Sequence, residues 1–252
     1  MIVWREKAKA FAVHFLVTLA LCASAAALVF LVWFPAPFQE MLGGTRLFEV
    51  LVGCDLGLGP LTSFVIYSSK KSRRELLFDY TVIGIIQLGA FLYGLHAVAN
   101  SRPAYTAFVG DRLEVVSAGE IDDGDLANGA EGYRTRPKWG PQLAGIQEPA
   151  DPKERDKVMM SAFAGKDYSA LPAYYVPYEQ VVPQIKQRAL PLSELEKRHP
   201  ESKPLLVNAA AQLSRSIEQI VWLPVKHRNG FWTVLLDPDT GHPVYWLPLD
   251  PY

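Results

Sequence analysis

The apolar positions of the chain are concentrated in its first hundred residues, where three long runs contain few polar side chains. These runs extend over about residues 10–34, 47–67 and 79–99. Each is close to the roughly 20 residues that an α-helix needs to cross about 30 Å of hydrocarbon. The pattern predicts an integral membrane protein with three transmembrane helices in a membrane domain of residues 1–100.

The first run also has features of a secretory signal, because basic residues precede it and the small residues CASAA lie within it. The apolar run nevertheless continues beyond those small residues through LVFLVWF, which makes it too long for a signal peptide. It ends on Trp33 and Phe34, aromatic residues of the kind that anchor a helix at the membrane surface. We therefore expect this segment to remain in the protein as an uncleaved span.

Basic residues in the short loops predict the orientation of the spans. Arg5, Lys7 and Lys9 precede the first span, and the loop between the second and third spans reads SSKKSRRE. The loop over residues 35–45 has no basic residue. Because basic loops stay in the cytoplasm, the N-terminus is expected to be cytoplasmic in a bacterial inner membrane. Residues 101–252 are then expected to be periplasmic.

Residues 101–252 mix strand and helix signals and predict an α/β (α+β) domain. Two strand-like runs, AYTAFV and RLEVVSA, flank a turn at Gly110–Asp111, and Ser117 with Glu120 has the spacing of a capping box. Residues 129–149 are rich in glycine and proline and predict a long loop. Three β-rich runs at the end, EQIVWLPVKH, FWTVLLD and PVYWLPL, are joined by turn sequences and predict a C-terminal antiparallel meander.

Helices are expected between the long loop and the meander. Asp151 and Pro152 are typical of a helix start, and Gly165 is typical of the end of that helix. Further helical stretches are predicted near residues 178–188, 193–199 and 203–216, with Pro183 interrupting the first of them.

Composition and motifs narrow the function. Half of the residues are hydrophobic, a fifth are charged, the net charge is −1 and the basic residues are scattered, which argues against nucleic acid as a partner. Cys22 and Cys54 both lie in apolar segments, so the polar half contains no disulfide or cysteine-ligated zinc. The sequence has no Walker loop, serine-nucleophile elbow or helical zinc-protease motif. These observations favour a protein that is not an enzyme and uses no cofactor.

Two weak metal hypotheses arise in the polar half. His227 and His242 could approach each other near Asp237 or Asp239, although histidines and aspartates beside turns are mostly solvated surface residues. The acidic DDGD sequence at 122–125 fails the calcium-loop spacing, because Ala127 occupies a position that requires an oxygen ligand. No metal site is expected.

The second span contains an acidic residue, Asp55, within GCDLGLGP. An ionised carboxylate at the centre of a membrane costs about 2.5–3.5 kcal/mol on insertion scales, so it is usually shielded by protein or functional. Gly53 and Gly57 form a G-x-x-x-G pair that allows another helix to approach closely. Pro60 removes a backbone donor and predicts a bend in the same helix.

The third span offers neighbours for this acidic residue. Counting 1.5 Å per residue from the outer surface places Tyr93 at about the depth of Asp55 and makes it the best-placed proton donor. Gln87 lies about one turn away, and Ala90 with Gly94 repeats the small-residue spacing. Two interpretations stay open. Asp55 stabilises the packing of the second span against the third, or Gly53, Asp55 and Gly57 bind a partner's helix.

Several quoted segments carry a family resemblance. They include KAFAVHFLVTLAL, LVWFPAPF, GCDLGLGPLTSFVIY, FDYTVIGIIQLGAFLYGLH, RPAYTAFVGDRLEVVSAGEID and the C-terminal WLPVKHRNGFWTVLLDPDTGHPVYWLPLDPY. In this order they resemble the TfpX/TfpZ family of type IV pilin accessory proteins. The positions near the C-terminus that fit the family pattern are Asp237, Thr240, Gly241, Pro243 and residues 249–251. Residues 125–215 are similar only loosely, and Tyr252 stands where tryptophan is commoner.

The resemblance implies a chaperone-like inner-membrane factor, specific for one pilin, that helps to assemble the pilus. Its implied partners are the cognate major type IV pilin, the inner-membrane lipid bilayer and the pilus assembly platform. The resemblance brings no catalytic residue with it. The alternatives from other classes are a small membrane sensor or transport-associated protein in which Asp55 titrates, and a periplasmic hydrolase on a membrane anchor.

Overall fold

The computed structural model describes residues 2–163 and 165–252. The chain divides into two compact units, residues 1–101 and residues 102–252. The first unit is helical, and the second combines a sheet with short helices.

The described residues of the first unit form four α-helices and one π-helical turn: α1 (Ile2–Leu28), the π turn (Val29–Trp33), α2 (Phe38–Met41), α3 (Gly44–Ile66) and α4 (Arg73–Ser101). Three continuous helical segments, Trp4–Trp33, Gly44–Ile66 and Arg73–Ser101, are long and apolar enough to cross a membrane. The helices extend beyond the apolar runs that predicted them, because polar residues at both ends continue the backbone hydrogen bonding.

The long helix α3 is the central helix of the first unit. It packs along both α1 and α4, whereas α1 and α4 meet mainly at the π-helical turn. Close contact at the start of α3 depends on Gly44, since a Cβ there would collide with the ring of the buried Phe34. Pro60 lies inside α3 and is buried, and the helix continues through it.

The second unit is built on a mixed sheet whose described strands are β1 (Pro103–Val109), β2 (Arg112–Ser117), β3 (Gln142–Ile146), β4 (Tyr175–Pro177), β5 (Leu190–Pro191), β6 (Val221–His227), β7 (Gly230–Leu236) and β8 (Pro243–Leu247). The order across the sheet is β4-β3-β1-β2-β6-β7-β8, with β5 paired to β6. Strands β1 and β2 form the expected hairpin, and β6, β7 and β8 form the expected antiparallel meander.

One strand lies in a segment that was expected to be a loop. Gln142–Ile146 pairs in parallel with β1, and Gly145 of this strand faces Val181 so closely that a side chain at Gly145 would collide. A second parallel pairing joins the hairpin to the meander, where Glu114 on β2 stands opposite Lys226 on β6. The expectation of a loop over the whole of residues 129–149 was therefore wrong.

Short helices cover the sheet and join its strands: α5 (Asp123–Ala127), α6 (Pro152–Phe163), α7 (Tyr178–Arg188), α8 (Leu192–Arg198) and α9 (Lys203–Gln212). Helix α7 has the expected bounds and continues through Pro183, so the expected interruption was wrong. Its amphipathic pattern buries Val181 and Ile185, and this packing compensates for the missing backbone donor.

Two apolar clusters form the core of this unit. In the first, the ring of Tyr105 lies edge-on to that of Tyr175 at 5.0 Å, and Tyr133 completes the aromatic group. In the second, α8 and α9 pack on β6 around Trp222, whose indole N–H donates to the carbonyl oxygen of Pro191 at 3.1 Å. Buried aromatic rings with satisfied polar atoms stabilise a core of this size.

Candidate functional site

The carboxylate of Asp55 is the feature of the first unit that most needs explanation. Its side chain lies in the middle of α3 with only 8% of the residue exposed. Among the described residues, no group donates a hydrogen bond to Oδ2 of Asp55. A buried polar atom without a partner is costly, and more so where water is excluded.

Polar side chains from all three long helices lie near this carboxylate. His14 and Thr18 on α1 and Gln87 on α4 line the same cavity as Asp55. His14 is hydrogen-bonded to Ser63, one of the buried polar residues of α3. The apolar helices therefore enclose a polar layer.

A glycine allows the three helices to converge at this layer. A Cβ on Gly59 would overlap the amide of Gln87 and come within 3.3 Å of the His14 ring. Gly59 is buried, so a larger side chain there would displace the amide end of Gln87 and crowd the ring of His14. Sequence reasoning singled out Gln87 but missed His14, although His14 and Thr18 have the i, i+4 spacing of a single helix face.

The two other glycines of the second span lie elsewhere. A Cβ on Gly53 or Gly57 would have no heavy atom within 4 Å, so both positions face open space. Successive residues of a helix are about 100° apart, which puts Asp55 about 200° from each glycine. Asp55 therefore lies on a different face of α3 from Gly53 and Gly57, so the three residues do not form one surface for a partner's helix.

The expected pairing of Asp55 with Tyr93 was also wrong. Tyr93 is 78% exposed and points away from the polar layer, while Asp55 is buried. Gly94 does serve helix packing, because a Cβ there would collide with the side chain of Leu51 on α3. Residue counting along a helix does not give the rotation of the helix about its axis, and this rotation decides the direction in which Tyr93 points.

A cleft opens between α1 and α4, with α3 as its floor. Two adjoining cavities of about 600 and 150 Å³ share His14 and Val17. The smaller cavity ends on the polar layer, and the larger one continues along α1 towards its N-terminus. We call this feature the α1–α4 cleft and define it by six lining residues: His14, Val17, Thr18, Asp55, Gly84 and Gln87.

In the second unit, the residues of the metal hypothesis are not brought together. Asp237 accepts hydrogen bonds from the backbone of Thr240 and from Arg215, and these bonds lower the pKa of Asp237 to about 2. The ring of His242 lies against Tyr178 at 5.1 Å. No group of three potential ligands within reach of one metal ion occurs among the described residues.

His227 occupies a different environment from His242. It is buried at the end of β6, where burial lowers the pKa of its imidazole, and Nδ1 accepts a hydrogen bond from the backbone of Asn229. It lines a small polar cavity with Glu114, whose carboxylate is already paired with Arg112 at 2.8 Å and with Lys226 at 3.3 Å. These contacts are typical of a structural polar cluster.

Comparison with known proteins gives consistent matches along almost the whole chain. Residues 2–43 match the family described as fimbrial assembly protein FimB. A "Fimbrial assembly protein, serogroup I" of Dichelobacter nodosus is 32% identical over 232 residues, covering 91% of this chain and 90% of that protein. Its serogroup E1 counterpart in the same organism is 31% identical over the same coverage.

A shorter relative from Dichelobacter nodosus covers less of the chain. The "Fimbrial assembly protein, serogroups C1 and C2" is 37% identical over 114 residues, which is 45% of this chain and 87% of that protein. No solved structure matches the chain.

Proposed function

This chain belongs to the fimbrial assembly protein family, and from that premise we propose that it binds its cognate major type IV pilin in the inner membrane. In this role it acts as a chaperone-like factor that delivers the pilin into the growing fibre. A general role in fimbrial biogenesis follows from family membership. The specific TfpX/TfpZ assignment within pilin accessory proteins is part of the proposal.

The observation that carries the proposal is the polar layer beneath the α1–α4 cleft. A three-helix unit that needed only to anchor a domain would have no use for a buried, unpaired carboxylate such as Asp55. Intramembrane polar groups and small residues are the usual means by which helices recognise one another in lipid. A membrane-embedded helix of a fibre subunit is the kind of partner that such groups would bind.

The charges of the loops support the proposed location. Arg5, Lys7 and Lys9 and the basic loop at 68–75 favour a cytoplasmic N-terminus, with residues 102–252 in the periplasm. The second unit could then contact the periplasmic part of the pilin, and the pilus assembly platform is a further candidate partner. Neither role requires a catalytic residue or a cofactor.

A second candidate function is favoured by the same carboxylate. If Asp55 titrates, with His14 nearby in the same cavity, the protein is a membrane sensor or transport-associated protein. The change Asp55→Asn discriminates between the two. It keeps a hydrogen-bonding group and should preserve pilin binding, whereas it removes titration and should abolish a pH-dependent activity.

Deletion followed by complementation tests the proposed function. Cells that lack the protein should lose surface pili and twitching motility, and the full chain should restore both with the cognate pilin but not with a non-cognate one. Crosslinking in intact membranes should recover the pilin with the protein. Normal piliation without the protein, together with no crosslinked pilin, would overturn the proposal.

A further inference from the structure

We infer that the α1–α4 cleft is the binding site for one transmembrane helix of the fibre subunit, which donates a hydrogen bond to Asp55. This inference rests on the proposed function, because it names the surface and the chemistry by which the pilin is held. It also separates this surface from the outward face of α3 that carries Gly53 and Gly57.

The unpaired carboxylate indicates what the occupant must provide. Oδ2 of Asp55 has no donor among the described residues, and Tyr93 points away from it. A donor from outside the chain can reach this buried atom through the cavity that Asp55 shares with Thr18 and Gln87. The occupant therefore carries a polar side chain with a donor group, set within an otherwise apolar segment.

The dimensions of the cleft suit a helix. The two cavities of the cleft extend along α1 from Glu6 to Leu21, and the 15 steps between these residues correspond to about 22 Å at 1.5 Å per residue. That length is most of the roughly 30 Å of hydrocarbon that a spanning helix crosses. Because α3 packs on both α1 and α4 while those two barely meet, a fourth helix would complete a bundle.

The walls of the cleft allow close approach. Gly84 on α4 lines the cleft, and a Cβ there would have no heavy atom within 4 Å. Val17 is 64% exposed and Leu88 is 50% exposed, so both present free apolar surface beside the polar layer. A glycine between apolar side chains and above a polar group is the combination that favours helix association in lipid.

Photocrosslinking in intact cells tests the site with the full chain. The photoreactive residue p-benzoylphenylalanine is placed at Val17 or Leu88 in the cleft, or at Val50 or Val65 on the outward face of α3, where both valines are exposed. We expect pilin adducts from the two cleft positions and none from the two outward positions. Protein levels measured in the same cells show whether each variant accumulates normally.

Matched substitutions on α4 add a quantitative readout. Gly84→Ile fills the cleft. Gly89→Ile introduces the same side chain on the same helix, at a position that also faces open space but does not line the cleft. Gly84→Ile should lower the yield of pilin adduct from Val17 at least about fivefold, and Gly89→Ile should leave the yield unchanged. Asp55→Leu should lower the yield about threefold, and Asp55→Asn, which keeps an acceptor oxygen, should lower it less than Asp55→Leu.

Each outcome bears on the inference. Adducts to pilin from the outward face alone would overturn the cleft site and leave the proposed function standing. Adducts from the cleft to lipid or to a second copy of this chain, without pilin, would also overturn it. The absence of pilin adducts from all four positions, in cells that make normal pili without the protein, would instead remove the proposed function itself.

Discussion

Gly53 and Asp55 are two residues apart and face opposite sides of α3. The glycine looks onto open space, and the carboxylate lies in the polar layer between the helices. A substitution at one position therefore leaves the surroundings of the other intact. This separation allows helix recognition at the cleft and lipid contact on the outward face to be tested independently.

The first prediction concerns the neighbours of Asp55 within the protein. A double-mutant cycle with Asp55→Leu and Gln87→Leu should show a coupling of about 0.5–1.5 kcal/mol, because both side chains line the same cavities. The cycle with Asp55→Leu and Tyr93→Phe should be additive within about 0.3 kcal/mol, because Tyr93 is exposed. Thermal unfolding of the purified full-length protein in detergent measures both cycles.

Strong coupling between Asp55 and Tyr93 would contradict the orientation of α4. Additivity in both cycles would mean that Gln87 makes no contribution to the environment of the carboxylate.

Local signals explain which elements could be predicted from the sequence. The Gly110–Asp111 turn and the Asp151–Pro152 helix start each lie within a few residues of the structure that they determine, and both predictions are confirmed. Strand β3 was missed because QLAGI has little strand propensity of its own. Strand β3 is stabilised by pairing with β1. Even the pair that is closest in sequence, Phe108 and Gly145, joins residues far apart in the chain.

The surroundings of Asp55 likewise depend on residues that are far away in sequence. Hydropathy and helical rise predict how far along its helix each of Asp55 and Tyr93 lies, but the face that each helix turns inward depends on packing. At Gly59, for example, side chains from both α1 and α4 come close to α3. The neighbours of the carboxylate therefore required the three-dimensional arrangement.

The second prediction concerns topology. The loop charges predict that Asn100 lies in the periplasm and Ser72 in the cytoplasm. An alkaline-phosphatase fusion after Asn100 should therefore be active, and a fusion after Ser72 should be inactive. Activity is measured in intact cells, with immunoblots to show equal amounts of each fusion. The reverse pattern would place residues 102–252 in the cytoplasm and remove any contact with the periplasmic part of a pilin.

The third prediction uses the buried imidazole of His227. Burial lowers its pKa in the folded state, so the unfolded chain binds the proton more readily. The free energy of unfolding of the fragment 102–252 should therefore fall as the pH drops below about 6.5, by at most about 1.4 kcal/mol per pH unit. In His227→Asn, whose side-chain oxygen can replace Nδ1, this component should be absent.

Urea unfolding at pH 7.5 and pH 5.5 measures the effect. His242→Asn is the control, because the His242 ring is only partly buried. An equal pH dependence in the wild type and in His227→Asn would show that another group is responsible.

The fourth prediction concerns the turn before β8. Hydrogen bonds from the Thr240 backbone and Arg215 lower the pKa of Asp237 to about 2, so the carboxylate stabilises the folded state above the unfolded pKa of about 3.9. Asp237→Asn should lower the midpoint of thermal unfolding at pH 7. The difference from the wild type should shrink as the pH falls from about 4 to 2.

A matched control is available two residues away. Asp239→Asn makes the same chemical change, but only the backbone of Asp239 donates to Asp237. A loss of stability from Asp239→Asn equal to that from Asp237→Asn would show that the side-chain contacts of Asp237 are not the cause.

The last prediction is that pilin binding depends on both units of the protein. The fragment 102–252 has two apolar clusters of its own and should fold cooperatively without the membrane unit. On the proposed function, the membrane unit of the full chain holds the pilin helix and raises the effective concentration of the pilin head to about the millimolar range. The affinity of the fragment alone for the soluble head should therefore be weak. Calorimetric titration of the fragment with the pilin head, beside pull-down of full-length pilin by the full chain in detergent, compares the two. Binding by the fragment as tight as binding by the full chain would show that the helices serve only as an anchor, and Asp55 would then need another explanation.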